Sequence, residues 1–227
     1  MIRALIKLKR RRVLLNIDTQ KDFFLADGSA CVRNHRRVLM NIRRINAWAR
    51  VHKVRVISTA LVNTNGHLDH QEYCIDGSDG ARILNYTRRN RCISYSADGY
   101  ADLRRDIFDN CDQIVLEKRT SNPFNEPRVD RLLSELAVDE IIVVGALTEH
   151  AVFETVLGLL QRGKKVTVVS DAVGSRDKDH AEMAIKKIEA KGAKIIETKD
   201  LAGLGHLHLV GACHCERCQG KVKKLAV

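Results

Sequence analysis

Aromatic residues make up only 4% of the 227-residue sequence, which leaves few rings on which single-stranded nucleic acid could stack. No apolar run approaches the length of a membrane span. The apolar stretch at the start gives way to arginines too early to serve as a signal peptide. Disulfide logic is also missing: the seven cysteines are odd in number and lack the spacing of a secreted framework, so a reducing, cytoplasmic setting is expected. Acidic residues are in deficit, 28 against 39 basic ones, for a net charge of +11. Such a surface attracts anions. Apart from the run at 7–12, however, the basic residues scatter through expected helices (Arg36, Arg37, Arg43, Arg44, Arg88, Arg89). That pattern fits solvated helix faces, so neither nucleic acid nor a membrane is the expected partner. Hydrophobic content of 44% argues against disorder, and the length suits one domain with a full core.

Apolar runs rich in β-branched residues recur at 13–17, 54–58, 113–116, 140–144, 166–170 and 194–197. Helical periodicity lies between several of them. Residues 34–51 put Val38, Ile42, Ile45 and Ala49 on one face, and 129–136 and 152–160 behave similarly. Residues 177–191 carry Met183, Ile185 and Ile188 among charges, with Gly192 as a stop. Alternation of this kind predicts an α/β three-layer sandwich: a mostly parallel sheet of about six strands with helices on both faces. The less regular stretch 64–100 is expected to form excursions over one edge. The domain is expected to span residues 1–203, followed by a Cys/His-rich tail at 204–227.

Ligands of an open parallel sheet bind beyond the carboxyl ends of its strands. The first strand runs into Asp18, Gln20 and Asp22. The strand at 113–116 leads to Glu117, Lys118 and Arg119. The strand at 140–144 ends at Gly145, followed by Thr148, Glu149, His150 and Ala151 where a helix begins. An acid, a lysine and a helix N-terminus, whose free N–H groups suit an oxyanion or carboxylate, therefore converge on one edge.

Four segments in order carry a family resemblance. They are Leu15-Asn16-Ile17-Asp18-Thr19-Gln20-Lys21-Asp22-Phe23, Cys74-Ile75-Asp76-Gly77-Ser78-Asp79-Gly80-Ala81, Glu117-Lys118-Arg119-Thr120-Ser121-Asn122-Pro123-Phe124, and Gly145-Ala146-Leu147-Thr148-Glu149-His150-Ala151-Val152-Phe153-Glu154-Thr155. Over residues 13–201 the chain resembles the isochorismatase-like hydrolases, which include isochorismatases, nicotinamidases and N-carbamoylsarcosine amidases. The resemblance implies an Asp–Lys–Cys triad in which a carboxylate takes the thiol proton, an ammonium stabilises anions and a thiolate attacks an amide. Asp18 and Lys118 match the first two. Ala151 stands at the nucleophile position, and a methyl group cannot attack. Isochorismatases also have a small residue there and hydrolyse an enol ether, using protonation of the vinyl group and attack by water. The resemblance further implies a cis peptide near Ala146–Leu147 and an anion-binding hole formed by the N–H groups of Leu147 and Ala151.

Gln20, Phe23, Phe124, Leu147, Thr148 and His150 are the expected substrate-binding residues, with His150 either a proton carrier or a pocket wall. The Asp-x-His metal pair of nicotinamidases has no counterpart at Ala60-Leu61-Val62-Asn63, and His67, Asp69 and His70 come later. The hydrolase site is therefore expected to need no cofactor. In the tail, Cys213, Cys215 and Cys218 offer soft ligands at chelating spacing, with His206, His208 or His214 as a fourth; the segment either binds zinc, with His206 favoured, or carries free thiols.

The expected function is hydrolysis of a small, anionic metabolite through Asp18 and Lys118, without a cysteine nucleophile, by a homo-oligomer. The alternative is an inactive family member serving as a binding or assembly protein. Retention of the acid–lysine pair favours the enzyme, because unused polar pairs destabilise a core. The missing cysteine favours the alternative.

Overall fold

Alternation along single strands sets the layers of this protein. Val13, Leu15 and Ile17 enter one apolar cluster and Leu14 the other, and the same split separates Ile141 and Val143 from Ile142 and Val144. Successive strand side chains point to opposite faces, so strands apolar at every position must be covered on both sides. The structure, a computed structural model, describes residues 6–7, 12–64 and 72–203.

The strands are β1 (Ile6–Lys7), β2 (Arg12–Ile17), β3 (Arg55–Leu61), β4 (Cys92–Tyr95), β5 (Gln113–Lys118), β6 (Leu136–Ala137), β7 (Glu140–Ala146), β8 (Val166–Gly174) and β9 (Lys194–Ile196). Seven of them form one sheet in the order β4-β5-β3-β2-β7-β8-β9, every pair parallel. β1 and β6 make a separate parallel pair. The helices are α1 (Lys21–Phe24), α2 (His35–Val51), α3 (Ile107–Asn110), α4 (Pro127–Glu135), α5 (Phe153–Gln161), α6 (Lys178–Ala190) and α7 (Thr198–Ala202).

Leu132 of α4, Val156 of α5 and Ile188 of α6 pack with Leu15, Ile57 and Ile114 on one face. Val38, Ile42, Ile45 and Trp48 of α2 pack with Leu14, Val56 and Ile142 on the other. Each fully buried Leu or Ile contributes about 1.5–3 kcal/mol, so the double-sided core dominates stability. No helix among the described residues is long and apolar enough to cross a membrane.

The three-layer sandwich matches the sequence expectation, with seven strands in the main sheet rather than about six. The additional strand is β4, inside the stretch expected to wander. It has four residues and pairs only with β5, too short and too one-sided to leave a clear apolar period. On α6, Ala184 and Ile188 are buried while Met183 is 47% exposed. Gly192 follows α6 at φ +104°, a conformation that suits a helix stop at glycine.

Candidate active site

The carboxyl ends of β2, β3, β5 and β7 lie side by side because their registers place Ile17 beside Gly145 and Leu61 beside Lys118. Gly145 has φ +129°, and a Cβ there would fall 1.9 Å from the Ile17 carbonyl oxygen. Only glycine lets β7 leave the sheet this close to β2. The cis peptide bond follows immediately, at Ala146–Leu147, where the resemblance implies it.

Asp18 begins where β2 ends. Its carboxylate Oδ2 lies 2.7 Å from Lys118 Nζ, with side-chain exposures of 2% and 0%. Its Oδ1 accepts from the Thr59 hydroxyl at 2.7 Å, and its N–H donates to the Thr59 carbonyl at 3.2 Å. Lys118 Nζ also donates to the carbonyls of Thr120 (3.0 Å) and Ser121 (3.3 Å). The ammonium thus has three acceptors and the carboxylate two donors, the condition under which a buried ion pair is tolerated. Ser121 Oγ donates to Glu154 of α5 at 2.6 Å, which holds the segment carrying these carbonyls.

Asp22 binds the second motif to the first. It accepts from Cys74 N at 2.6 Å and Ser29 N at 3.3 Å, and its own N–H donates to the Gly80 carbonyl at 3.0 Å. A Cβ on Gly80 would fall 2.2 Å from the Asp22 carboxylate, so this close approach requires glycine.

Several expected ligand contacts are otherwise engaged. Gln20 is fully buried: its amide donates to the carbonyls of Leu61 and Ala81 and accepts from Leu61 N. Both of its donors are taken, and the side chain braces β3 rather than facing a ligand. Thr148 donates to the Gly174 carbonyl at 2.9 Å, tying the turn to the end of β8. Phe124 lies against Gly158 of α5 with the Arg162 guanidinium 3.9 Å above its ring. Phe23 is 2% exposed and meets Tyr73 edge-on at 5.4 Å, so it supports the pocket wall from behind. Leu147 and His150 do line a cavity of about 610 Å³, together with Tyr73, Arg176, His180 and Lys187. Ala151 is buried in the π turn Thr148–Val152 that opens α5, where Val152 N donates to the Leu147 carbonyl.

Motif reading missed Thr59, Tyr73 and the surroundings of Cys74. Thr59 lies one residue past the predicted strand end, and its meeting with Asp18 depends on how β3 lies beside β2. Tyr73 stays protonated above the ordinary phenol range, chiefly through burial and then through Cys74; Asp18 adds to the rise and Arg176 opposes it. Tyr73 also lines the cavity that Leu147 and His150 border. Cys74 is fully buried, and burial, then Asp18, then Asp22 push its thiol well above the usual range, with Lys118 pulling the other way. A thiol so placed rests protonated, which is not the state of an activated nucleophile.

Glu149 Oε1 accepts from the N–H groups of Arg176 and Asp177, fixing the loop that delivers Arg176 to the cavity. No three His, Cys, Asp or Glu side chains converge in a metal-ligating group among the described residues. His67, Asp69, His70, His206, Cys213, Cys215 and Cys218 lie outside those residues.

A family model described as Isochorismatase domain matches residues 12–200. A protein of Escherichia coli (strain K12) named Nicotinamidase is 26% identical over 219 residues, spanning 83% of this chain and 96% of that one. The pyrazinamidase of Pyrococcus horikoshii, solved in complex with zinc, superposes with a TM-score of 0.64 at 18% identity, covering 82% of this chain and 99% of its own. An isochorismatase family protein from Desulfovibrio vulgaris subsp. vulgaris str. Hildenborough gives a TM-score of 0.66 at 24% identity, with coverage of 85% and 97%. The two structures share the fold described above.

Proposed function

The chain belongs to the isochorismatase family of hydrolases, and from that premise we propose that it cleaves a small, anionic metabolite without a cysteine nucleophile. The observation that carries this reading is the Asp18–Lys118 pair, closed at 2.7 Å inside the domain. A buried pair of this kind is often no better for stability than apolar residues of the same volume, so its presence at the carboxyl ends of the parallel strands favours a chemical role.

The cavity lining mixes charges, and the anionic preference rests on its two cations together with the N–H groups of the turn that opens α5. Arg176 and Lys187 bring cationic side chains, with His150 and His180 beside them, against the carboxylates of Glu149 and Asp177. Glu149 Oε1 accepts from backbone N–H groups, and Asp177 binds the start of α6 and His180 Nδ1 at 2.8 Å, which leaves Arg176 and Lys187 as the cations that face the cavity. The N–H groups of Leu147 and Ala151 are proposed to receive a substrate carboxylate at the turn that opens α5.

An enol ether is the substrate class that best fits an acid–lysine pair with a methyl group at residue 151. The pair shares a transferable proton between Oδ2 and Nζ. Delivery of that proton to the vinyl carbon generates an oxocarbenium ion, water adds to its carbon, and the hemiketal collapses to a ketone and an alcohol. The water's surplus proton returns to the pair, so the atoms balance without a covalent enzyme intermediate. Initial rates on a panel of carboxylate-bearing enol ethers, for the wild type and for Lys118→Met, test the proposal. Turnover lost in the variant supports it, and an absence of turnover across the panel contradicts it.

A further inference from the structure

A second cavity, of about 410 Å³, opens at the amino ends of β3 and β5 and is lined by Arg50, Lys53, Arg55, Arg89, Asn90 and Asp112. It is the opposite edge of the sheet from Asp18 and Lys118: β5 alone spans about 16 Å between Gln113 and Lys118 at the usual rise per residue. Its volume falls within the usual range for small-molecule sites, about 300–1,000 Å³.

Arg89 is the feature that calls for a ligand. The residue is only 8% exposed, and its Nη2 is shielded and hydrogen-bonded to nothing. Its backbone is fixed, because its N–H donates to Gln113 Oε1 at 2.7 Å while the same glutamine donates to Ser58 Oγ and the Thr87 carbonyl. Burial and then the neighbouring Arg50 bring Arg89 down to about 10, which still leaves it charged at neutral pH. Arg50, itself a cation, directs Nη2 to the carbonyls of Tyr86 and Arg88, so it adds to the positive charge beside Arg89. Asp112 is the one acid in the lining, and it is paired with Arg55 and approached by Arg91 at 3.9 Å. Arg89, with Arg50 beside it, thus borders a concave space whose one acid is already engaged by Arg55.

We infer that this cavity is an oxyanion site that takes a phosphate group, with Arg89 as its central cation and Lys53 and Arg55 at its rim. Guanidinium groups match phosphate oxygens through paired N–H donors, and a dianion offsets the uncompensated charge. The recessed shape suits a small phosphate or phosphate monoester rather than a polymer backbone.

Titration calorimetry with inorganic phosphate, and separately with phenyl phosphate, tests this at constant ionic strength against chloride. The expected result is saturable binding to the wild type, weakened about tenfold or more by Arg89→Gln and unchanged by Arg36→Gln on the exposed side of α2. Tighter binding of phenyl phosphate than of inorganic phosphate would identify a phosphorylated metabolite as the source, and the reverse order would identify free phosphate. If Arg89→Gln does not fold, Lys53→Gln at the exposed rim carries the same test. Absence of saturable phosphate binding to the wild type, or binding equally tight in the Lys53→Gln and Arg36→Gln variants, overturns the inference. The readout is independent of hydrolytic turnover.

Discussion

Lys118 Nζ lies 2.7 Å from Asp18 Oδ2, and neither side chain exposes more than 2% of its surface. Removing one partner leaves the other charged in a dry site. Lys118→Met is therefore expected to lower stability by about 3–5 kcal/mol, while the double variant Asp18→Asn/Lys118→Met recovers part of that loss. Urea denaturation of the two variants and the wild type checks this.

Gly145 couples the sheet to the site, because a side chain there would meet the Ile17 carbonyl at 1.9 Å and would have to adopt φ +129°. Gly145→Ala is expected to cost about 3–5 kcal/mol from strain and overlap together. Thermal and chemical unfolding measure it. Full stability in this variant would contradict the close approach of β7 to β2.

Much of this arrangement was legible in the sequence, and what was not has identifiable reasons. β-branched runs marked the parallel strands that are covered on both faces, strand ends pointed to Asp18 and Lys118, and the family resemblance implied the cis peptide at Ala146–Leu147. Spacing does not say where a side chain is directed. Gln20, Thr148 and Phe124 occupy the segments expected of them, yet bind backbone, β8 and α5 respectively. Thr59 and Tyr73 join the site through tertiary adjacency alone: β3 lies beside β2, and Phe23 packs edge-on against Tyr73. β4 escaped because a short edge strand with one partner needs no strong apolar period.

Cys74 makes alkaline stability a probe of its surroundings. Its native thiol is held well above the ordinary value of 9.0 by burial, then by Asp18 and Asp22. The unfolded chain releases that proton first, so unfolding gains favour as pH rises above about 9, by up to about 1.4 kcal/mol per pH unit for one thiol. Burial also raises Cys31, Cys92 and Cys111, which steepen the same decline. Stability curves between pH 8 and 10.5 should flatten in Cys74→Ala, and native Cys74 should resist iodoacetamide.

The C-terminal segment calls for a metal analysis of the untagged protein. Three thiolates with one histidine can close a tetrahedral zinc site, and Cys213, Cys215, Cys218 and His206 are the proposed ligands. The expected result is close to one zinc per chain, lost when Cys215 and Cys218 are changed to serine. Zinc-free protein in which Cys213, Cys215 and Cys218 react with iodoacetamide under native conditions after reduction would leave the segment as free cysteines.

The central claim, hydrolysis by an acid–lysine pair without a thiol, is tested most directly by following two products in parallel. The substrates are carboxylate-bearing enol ethers, monitored for ketone release, and nicotinamide, monitored for ammonia. Wild type, Lys118→Met and Cys74→Ala are compared. The expected result is ketone release by the wild type and by Cys74→Ala, a loss of several hundredfold or more in Lys118→Met, and no ammonia from any of the three. Ammonia release that disappears in Cys74→Ala would contradict it, because the hydrolysis would then run through a thiol.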